Sequence, residues 1–434
     1  DKTRRNTVEM IQYAALVSLD WFENMNRHNQ HPFYQFAFGC MTRAKKVTFE
    51  NLRLRDKSFT DKVLEEFNGN NNINNKNCHT GLVEVPAAFS TFKLRNLELQ
   101  NRIVMSSMGQ YAAENGLVND WHFQHYTSRA VGGLGLILTE MTAISETGRI
   151  TEGCAGIYTE NQIAEWKRIN DFIHQHTQTK IGIQLGHSGR KGATKKPWDD
   201  VFTGTSWELL SASAIPFNEN SNKPKAITLA DMDLVTSQFV QATKNTDEFG
   251  GSIENRLKFP LRVFTEMRKV FPKEKPMSVR ISATDWAENG ISETDVFTIA
   301  TAFKNAGADI INVSTGNTVA NQKPQTGRMW QTLFSDAVRN TVHIPTITAG
   351  YIQDIDQINT IILNGRADLV SLGRPLLLDA NFVRNAQAYE QFQATDIPNQ
   401  YKMGISHLYP FKASERKQTE GMKKALKPKS NKKN

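Results

Sequence analysis

From residue 101 onward, short apolar runs alternate with stretches of helical periodicity. The apolar runs fall at 102–106, 134–140, 180–187, 277–282, 308–314, 344–349 and 367–372. Each is too short for a buried helix, and several are rich in Val and Ile, so they read as strands buried on both faces. Strands of this kind separated by helices predict βα units around a parallel sheet. The expected closed form is the eight-stranded (β/α)8 barrel. The rhythm fails once. After the third run, a helical stretch at 229–244 passes into NTDEFGG at 245–251 and then into another helix at 253–270, with no apolar run between them. The fold class is therefore α/β, of TIM-barrel type, lacking the fourth strand. Parallel neighbours require crossovers, so the third and fifth strands of such a barrel either pair directly or leave two open edges. A distorted or gapped barrel is expected, with strain near 244–247.

Residues 1–67 form a separate helical unit: Ile11, Ala15, Leu19 and Phe22 share one face of a breaker-free stretch at 8–25. The segment 68–77 holds seven Asn in ten residues and marks a linker, taken as 68–80. The barrel then occupies about 81–400. The net charge of +8 is uneven, since from Lys412 to Asn434 nine Lys/Arg face two Glu. That tail, 401–434, is expected to be disordered and solvated. The three cysteines are scattered and show neither metal spacing nor a paired framework, which suits a reducing, cytoplasmic setting. No apolar run reaches the ~18 residues of a membrane span. The first residue is Asp1 and no signal peptide is visible, so the chain is read as starting inside a longer protein or as trimmed. A phosphate-binding Walker sequence is absent, and GGLGL at 132–136 precedes a strand instead of following one, which excludes the dinucleotide fingerprint.

Barrel enzymes carry their chemistry at the C-terminal ends of the strands. The last two strands end in Gly350 and Gly373, and the chain continues into Arg374. Glycines that let backbone N–H groups approach, with an added guanidinium, suit a phosphate. Arg280 projects from a strand otherwise built for the core and needs an anionic partner.

Several longer segments resemble the old yellow enzyme family of FMN-dependent barrel oxidoreductases. They are FKLRNLELQNRIVMS at 92–106, IGIQLGHSGRK at 181–191, TDEFGGSIENR at 246–256, VRISA at 279–283 and NGRADL at 364–369. The resemblance spans about 88–400. It implies hydride transfer from NADH or NADPH through FMN to an activated alkene or enone-like acceptor. By position it implies that Ser106, Ser107, Met108 and Gly109 line the flavin, that Met141 lies beside the ring, and that Gln184 meets the pyrimidine edge. It sets Arg280 at N1 and O2, where a fixed cation raises the reduction potential. Gly350, Gly373 and Arg374 would hold the phosphate, Tyr111 would face the substrate as a donor, and Lys191 would lie near the ring edge. No metal is implied. The paired histidine motif that the family carries on its fourth strand has no counterpart in this sequence, and position 109 is Gly where relatives often have Cys or Thr.

The N-terminal unit resembles the end of the hydroxylase half of salicylyl-CoA 5-hydroxylase and anthraniloyl-CoA monooxygenase, through ALVSLDWFEN at 15–24 and TFENLRLRD at 48–56. That resemblance extends the acceptor class to aromatic-CoA-derived compounds. Two other readings stay open: a family remnant that binds FMN weakly or not at all, and a module that meets nucleic acid or an anionic surface through its basic tail. A homo-oligomer is one option for the assembly, and nucleic-acid binding is not expected, because no aromatic–basic interleaving suggests base stacking.

Overall fold

The computed structural model describes residues 85–199, 207–241, 253–287, 290–316, 319, 321–392 and 396–425. The N-terminal unit, the Asn-rich linker, the linkage at 244–247 and most of the 246–256 motif lie outside the described residues.

An antiparallel hairpin opens the domain. Its strands β1 (Phe92–Leu94) and β2 (Leu97–Leu99) pair Phe92 with Leu99 across a turn in which Arg95 takes φ 49°. Then β3 (Ile103–Met105), α1 (Asp120–Val131), β4 (Leu136–Ala143), α2 (Glu160–His176) and β5 (Lys180–Gly186) form the first βα run. The starts of both helices are fixed by side chains. Asn119 and His122 form a reciprocal capping box for α1, and Thr159 and Gln162 do the same for α2, so orphan N–H groups of the first turn are satisfied.

A two-residue pair, β6 (Leu210–Ser211) with β7 (Lys225–Ala226), decorates the following excursion. Helices α3 (Leu229–Gln241) and α4 (Ile253–Val270) come next, and then β8 (Ser278–Ser282), α5 (Glu293–Asn305), β9 (Ile310–Ser314), α6 (Thr332–Val342), β10 (Thr346–Thr348), α7 (Ile355–Leu363) and β11 (Leu369–Leu372). The chain closes with α8 (Arg374–Leu378), α9 (Phe382–Tyr389) and α10 (Lys402–Ala425).

The seven parallel strands lie in the order β5-β4-β3-β11-β10-β9-β8. This is the cyclic order of a (β/α)8 barrel opened at one seam. The first and last strands pair, with Val370, Ser371 and Leu372 opposite Ile103, Val104 and Met105. Between β5 and β8 no ladder forms, so among the described residues the sheet takes, of the two arrangements expected, the one with two open edges. Ile183 on β5, one of these outer strands, is 41% exposed.

The remaining core is dry. Leu99 from the hairpin packs with Val104, Leu136, Ile310, Ile347 and Leu369, one from each of five strands, and so plugs the lower end of the sheet's concave side. A larger cluster, including Ile103, Ile137, Val370, Tyr126 and Ile358, joins the strands to α1, α2 and α7. A third, including Ile281, Ile311, Phe264 and Val338, joins β8 and β9 to α4, α5 and α6.

The tail departs from expectation. The segment 401–434 was expected to be disordered, but α10 runs from Lys402 to Ala425. Its anchor lies ahead of the charged run. Tyr409 is buried, its hydroxyl donates to the Phe392 carbonyl at 2.5 Å, and its own carbonyl accepts from Gln391 Nε2 at 3.1 Å. A charge count over the basic stretch cannot register an apolar foothold that precedes it.

The β3–β4 junction supplies a stability test. A Cβ on Gly135 would stand 2.2 Å from the Asn101 carbonyl oxygen, which is backbone and cannot turn away. The Gly135→Ala substitution should destabilise the domain by about 3 kcal/mol, at the upper end of overpacking costs. Urea unfolding followed by circular dichroism checks this, and an unshifted midpoint would contradict the close approach.

Candidate functional site

The loops after β3 and β11 start side by side, because the ladder continues one step past the strands: the Ser106 N–H donates to the Leu372 carbonyl at 2.8 Å. A Cβ on Gly373 would lie 3.3 Å from Met108 Sδ, so Met108 covers that glycine. Ser107 Oγ is buried without a hydrogen-bond partner among the described residues, an orphaned donor in the same loop. Beyond it, Tyr111 takes φ 52° and folds its ring against Gly109, where a Cβ would meet the ring at 2.9 Å. The ring also meets Trp198 edge-on at 5.7 Å. Burial, then Cys154 and Glu140, push the Tyr111 phenol above its ordinary range. It therefore stays protonated at neutral pH and remains a donor.

Met141 and Gln184 are opposite one another in the β4–β5 register, just past an irregularity between Leu138 and Met141. The Gln184 N–H donates to Thr139 Oγ1 at 3.1 Å, which anchors the edge strand. The Met141 side chain lies across Gly186, whose missing Cβ would be 2.6 Å from it. After β5, Lys191 ends a short 3-10 turn, with its ammonium 4.7 Å from the centre of the Phe217 ring. Burial, then Arg190, lower its pKa.

On the other side, Arg280 is on β8 opposite Asn312 of β9. It has no hydrogen-bond or ion-pair partner among the described residues. It is exposed, yet desolvation alone lowers its pKa, with no carboxylate among the causes. Gly350 takes φ 103°, a conformation open to glycine, and its Cβ would press on Trp330 and Gln331 at 3.0 Å. Arg374 stacks on Tyr351, with 4.0 Å from its guanidinium carbon to the ring centre. The site residues read from the sequence thus divide into three groups. Ser106 to Tyr111 and Gly373 are brought into contact; Met141 and Gln184 are paired across β4 and β5, with Lys191 in the turn after β5; Arg280 within β8, Gly350 after β10 and Arg374 after β11 make a third group on the same sheet.

The model of the NADH:flavin oxidoreductase / NADH oxidase family matches this chain over residues 87–246 and 237–391. The NADPH dehydrogenase of Clostridium acetobutylicum is 34% identical over 350 residues, which cover 73% of this chain and 99% of that protein. The chain belongs to this family. The NADPH dehydrogenase of Listeria innocua is 35% identical over 345 residues, 72% of this chain and 97% of its own length. Among solved structures, morphinone reductase in complex with tetrahydroNAD has a TM-score of 0.57 at 20% identity, covering 73% of this chain and 94% of that one. A 2-naphthoyl-CoA reductase complex has a TM-score of 0.60 at 18% identity, covering 68% and 51%. These two show a shared fold. The protein is an oxidoreductase of an FMN-dependent barrel family, and the family model matches it in two overlapping pieces whose overlap falls between β5 and β8 in the sequence.

The residues suit that cofactor. A cation without a partner among the described residues, an orphaned hydroxyl and a left-handed glycine are what a planar, anionic, phosphorylated ring system can satisfy. Sequence reasoning passed over His187. Its Nδ1 accepts from the Gly189 N–H at 3.1 Å, which leaves Nε2 protonated, buried and without a partner. The only signal was its place in the 181–191 segment. Glu140 was also passed over, although a carboxylate at the end of an apolar strand is itself a signal.

Burial pushes His187 down to about 4, and burial, then Arg129 and His122, push His125 down to about 3. The unfolded chain takes up these protons near the ordinary pKa of about 6.5, so both imidazoles stabilise the fold above that pH. That contribution should drain away as the pH falls from about 6.5 through about 4. Urea midpoints measured across this window should fall, and a His125→Phe, His187→Phe double variant should flatten the decline. An unchanged slope in the double variant would contradict the neutral buried imidazoles.

Proposed function

We propose that this chain is an NAD(P)H-dependent reductase whose FMN lies across the upper end of the open sheet and whose acceptor is an activated alkene or enone-like compound. The observation that carries this reading is Arg280: a cation on a barrel strand with no hydrogen-bond or ion-pair partner among the described residues and no carboxylate among the causes of its lowered pKa, which leaves it free to meet a bound anion. The FMN would supply the two-electron chemistry, taking hydride from the nicotinamide and passing it to the acceptor.

The protein's part is binding, orientation and proton supply. Arg280 would face the N1 and O2 edge, where negative charge gathers on reduction, and a fixed cation there favours the reduced form. Gln184 would hydrogen-bond the pyrimidine edge. Ser106, Ser107, Met108 and Gly109 would form the bed beneath the ring, with Met141 beside it. Gly350, Gly373 and Arg374 would hold the phosphate. Arg374 rests on Tyr351, so its guanidinium is pre-oriented and loses little freedom on binding. Tyr111 would donate to the acceptor, a role its raised pKa supports. Lys191, held over Phe217, would set positive charge near the ring edge. NADPH is favoured as reductant by the names of the relatives. The resemblance of the N-terminal unit favours aromatic-CoA-derived acceptors.

A second reading rests on the free edges of β5 and β8: a remnant whose flavin site no longer closes. One experiment separates the two. The purified chain is mixed with FMN, desalted, and its visible spectrum recorded. A retained flavin spectrum supports the reductase, and a colourless chain supports the remnant. In the retained case Arg280→Ala should weaken FMN binding at least tenfold, about 1.4 kcal/mol, and lower the midpoint potential. Unchanged values in both would remove Arg280 from the site.

A further inference from the structure

Behind the loop that carries Gly109 and Tyr111 lies a buried carboxylate outside the set of residues proposed to touch the cofactor. Glu140, in β4, is 1% exposed. Its Oε2 accepts from the Gln110 main-chain N–H at 3.0 Å. Its Oε1 accepts from the Tyr126 hydroxyl at 3.3 Å and lies 3.4 Å from His122 Nε2, an ion-pair distance without hydrogen-bond geometry. The Glu140 N–H in turn donates to the Tyr126 hydroxyl at 2.9 Å. Tyr126 and His122 are themselves fully buried on α1. The carboxylate is therefore held on its strand from behind and has one free direction, toward the loop.

That single contact bears on a segment with little else to hold it at its centre. Gln110 lies between two candidate site residues, and its side chain points elsewhere, with Nε2 donating to the Met108 carbonyl at 3.0 Å and Oε1 accepting from Trp121 Nε1 at 3.1 Å. Tyr111 just beyond takes a left-handed φ of 52°. A backbone conformation of that kind persists only where its surroundings impose it. A hydrogen bond from the preceding amide to a buried side-chain oxygen that is itself held in place is a local restraint.

We propose that Glu140 is a positioning residue: through the Gln110 amide it fixes the turn that presents Met108 and Gly109 to FMN and Tyr111 to the acceptor. This rests on the proposed flavin reading for its consequence, but the restraint itself is a property of the chain without cofactor.

Two near-isosteric variants separate the contact from the charge. Glu140→Gln keeps an oxygen at the same reach and loses the charge. Glu140→Asp keeps the charge and falls a methylene short. Hydrogen exchange of the peptide covering 106–111, measured on the chain without FMN, should be about tenfold faster in E140D, the loss of a bond to a charged group, and near parental in E140Q. FMN titration should follow the same order, with E140D weakened about tenfold and its flavin spectrum shifted, and E140Q rescued. Parental exchange in E140D, or E140Q exchanging as fast as E140D, overturns the proposal. Parental FMN affinity in E140D overturns its link to the cofactor. Should E140D fail to fold, Gln110→Pro deletes the donor from the loop side, leaves the buried cluster intact, and is held to the same two outcomes. A parent chain that takes up no FMN counts against the flavin reading alone, because the exchange measurement still decides the restraint.

Discussion

The pairing of β3 with β11 is the contact on which the site depends. It joins the first strand of the sheet to the last, and in doing so brings the loop after Met105 against the loop after Leu372. The pair is also secured at its lower end by a buried arginine. Arg102 donates from Nε to Ser90 Oγ at 2.7 Å and from Nη1 to the Asp368 carbonyl at 3.2 Å. Desolvation pulls its pKa down to about 10, against the raising influence of Asp368. A guanidinium this deep is tolerated because its donors are met and a carboxylate is near. Asp368 is held in turn by Arg339, through Nε to Oδ2 at 2.9 Å and Nη2 to Oδ1 at 3.1 Å. The lower end of β11 is thus fixed by charge, and its upper end is left to glycine and Met108. Rigid base and adaptable rim is the division of labour that a barrel enzyme requires.

Much of this was legible in the chain because parallel strands covered on both faces leave continuous apolar runs. All seven runs became strands of the sheet. The absence of a run between the helices at 229–244 and 253–270 foretold the open seam. The hairpin β1–β2 was not read, because its two three-residue strands are shorter than any periodicity argument can resolve. The Glu140 cluster was illegible for another reason. Its contacts join α1, β4 and the loop after β3, and nothing in local spacing says that Glu140 will meet the Gln110 amide. The tail was misjudged because a helix can be nucleated by a few docked residues ahead of a charged stretch that would not fold alone.

The position of the seam decides which parts of the site it weakens. In the order β5-β4-β3-β11-β10-β9-β8, the strands that carry the Ser106–Gly109 bed and the Gly373 loop are central, and those that carry Gln184 and Arg280 are the two edges. Central strands are held on both sides by ladders, whereas edge strands have one. The proposed phosphate and ring bed therefore rest on the best-supported part of the sheet. The two groups proposed for the pyrimidine edge thus belong to the two strands that border the gap. Water entering there raises the effective dielectric around Arg280 and weakens its hold on any developing negative charge. An open barrel of this order thus keeps its anchorage for FMN more readily than its control over the cofactor's potential. Retention and tuning of the flavin, coupled in a closed barrel, come apart at the seam.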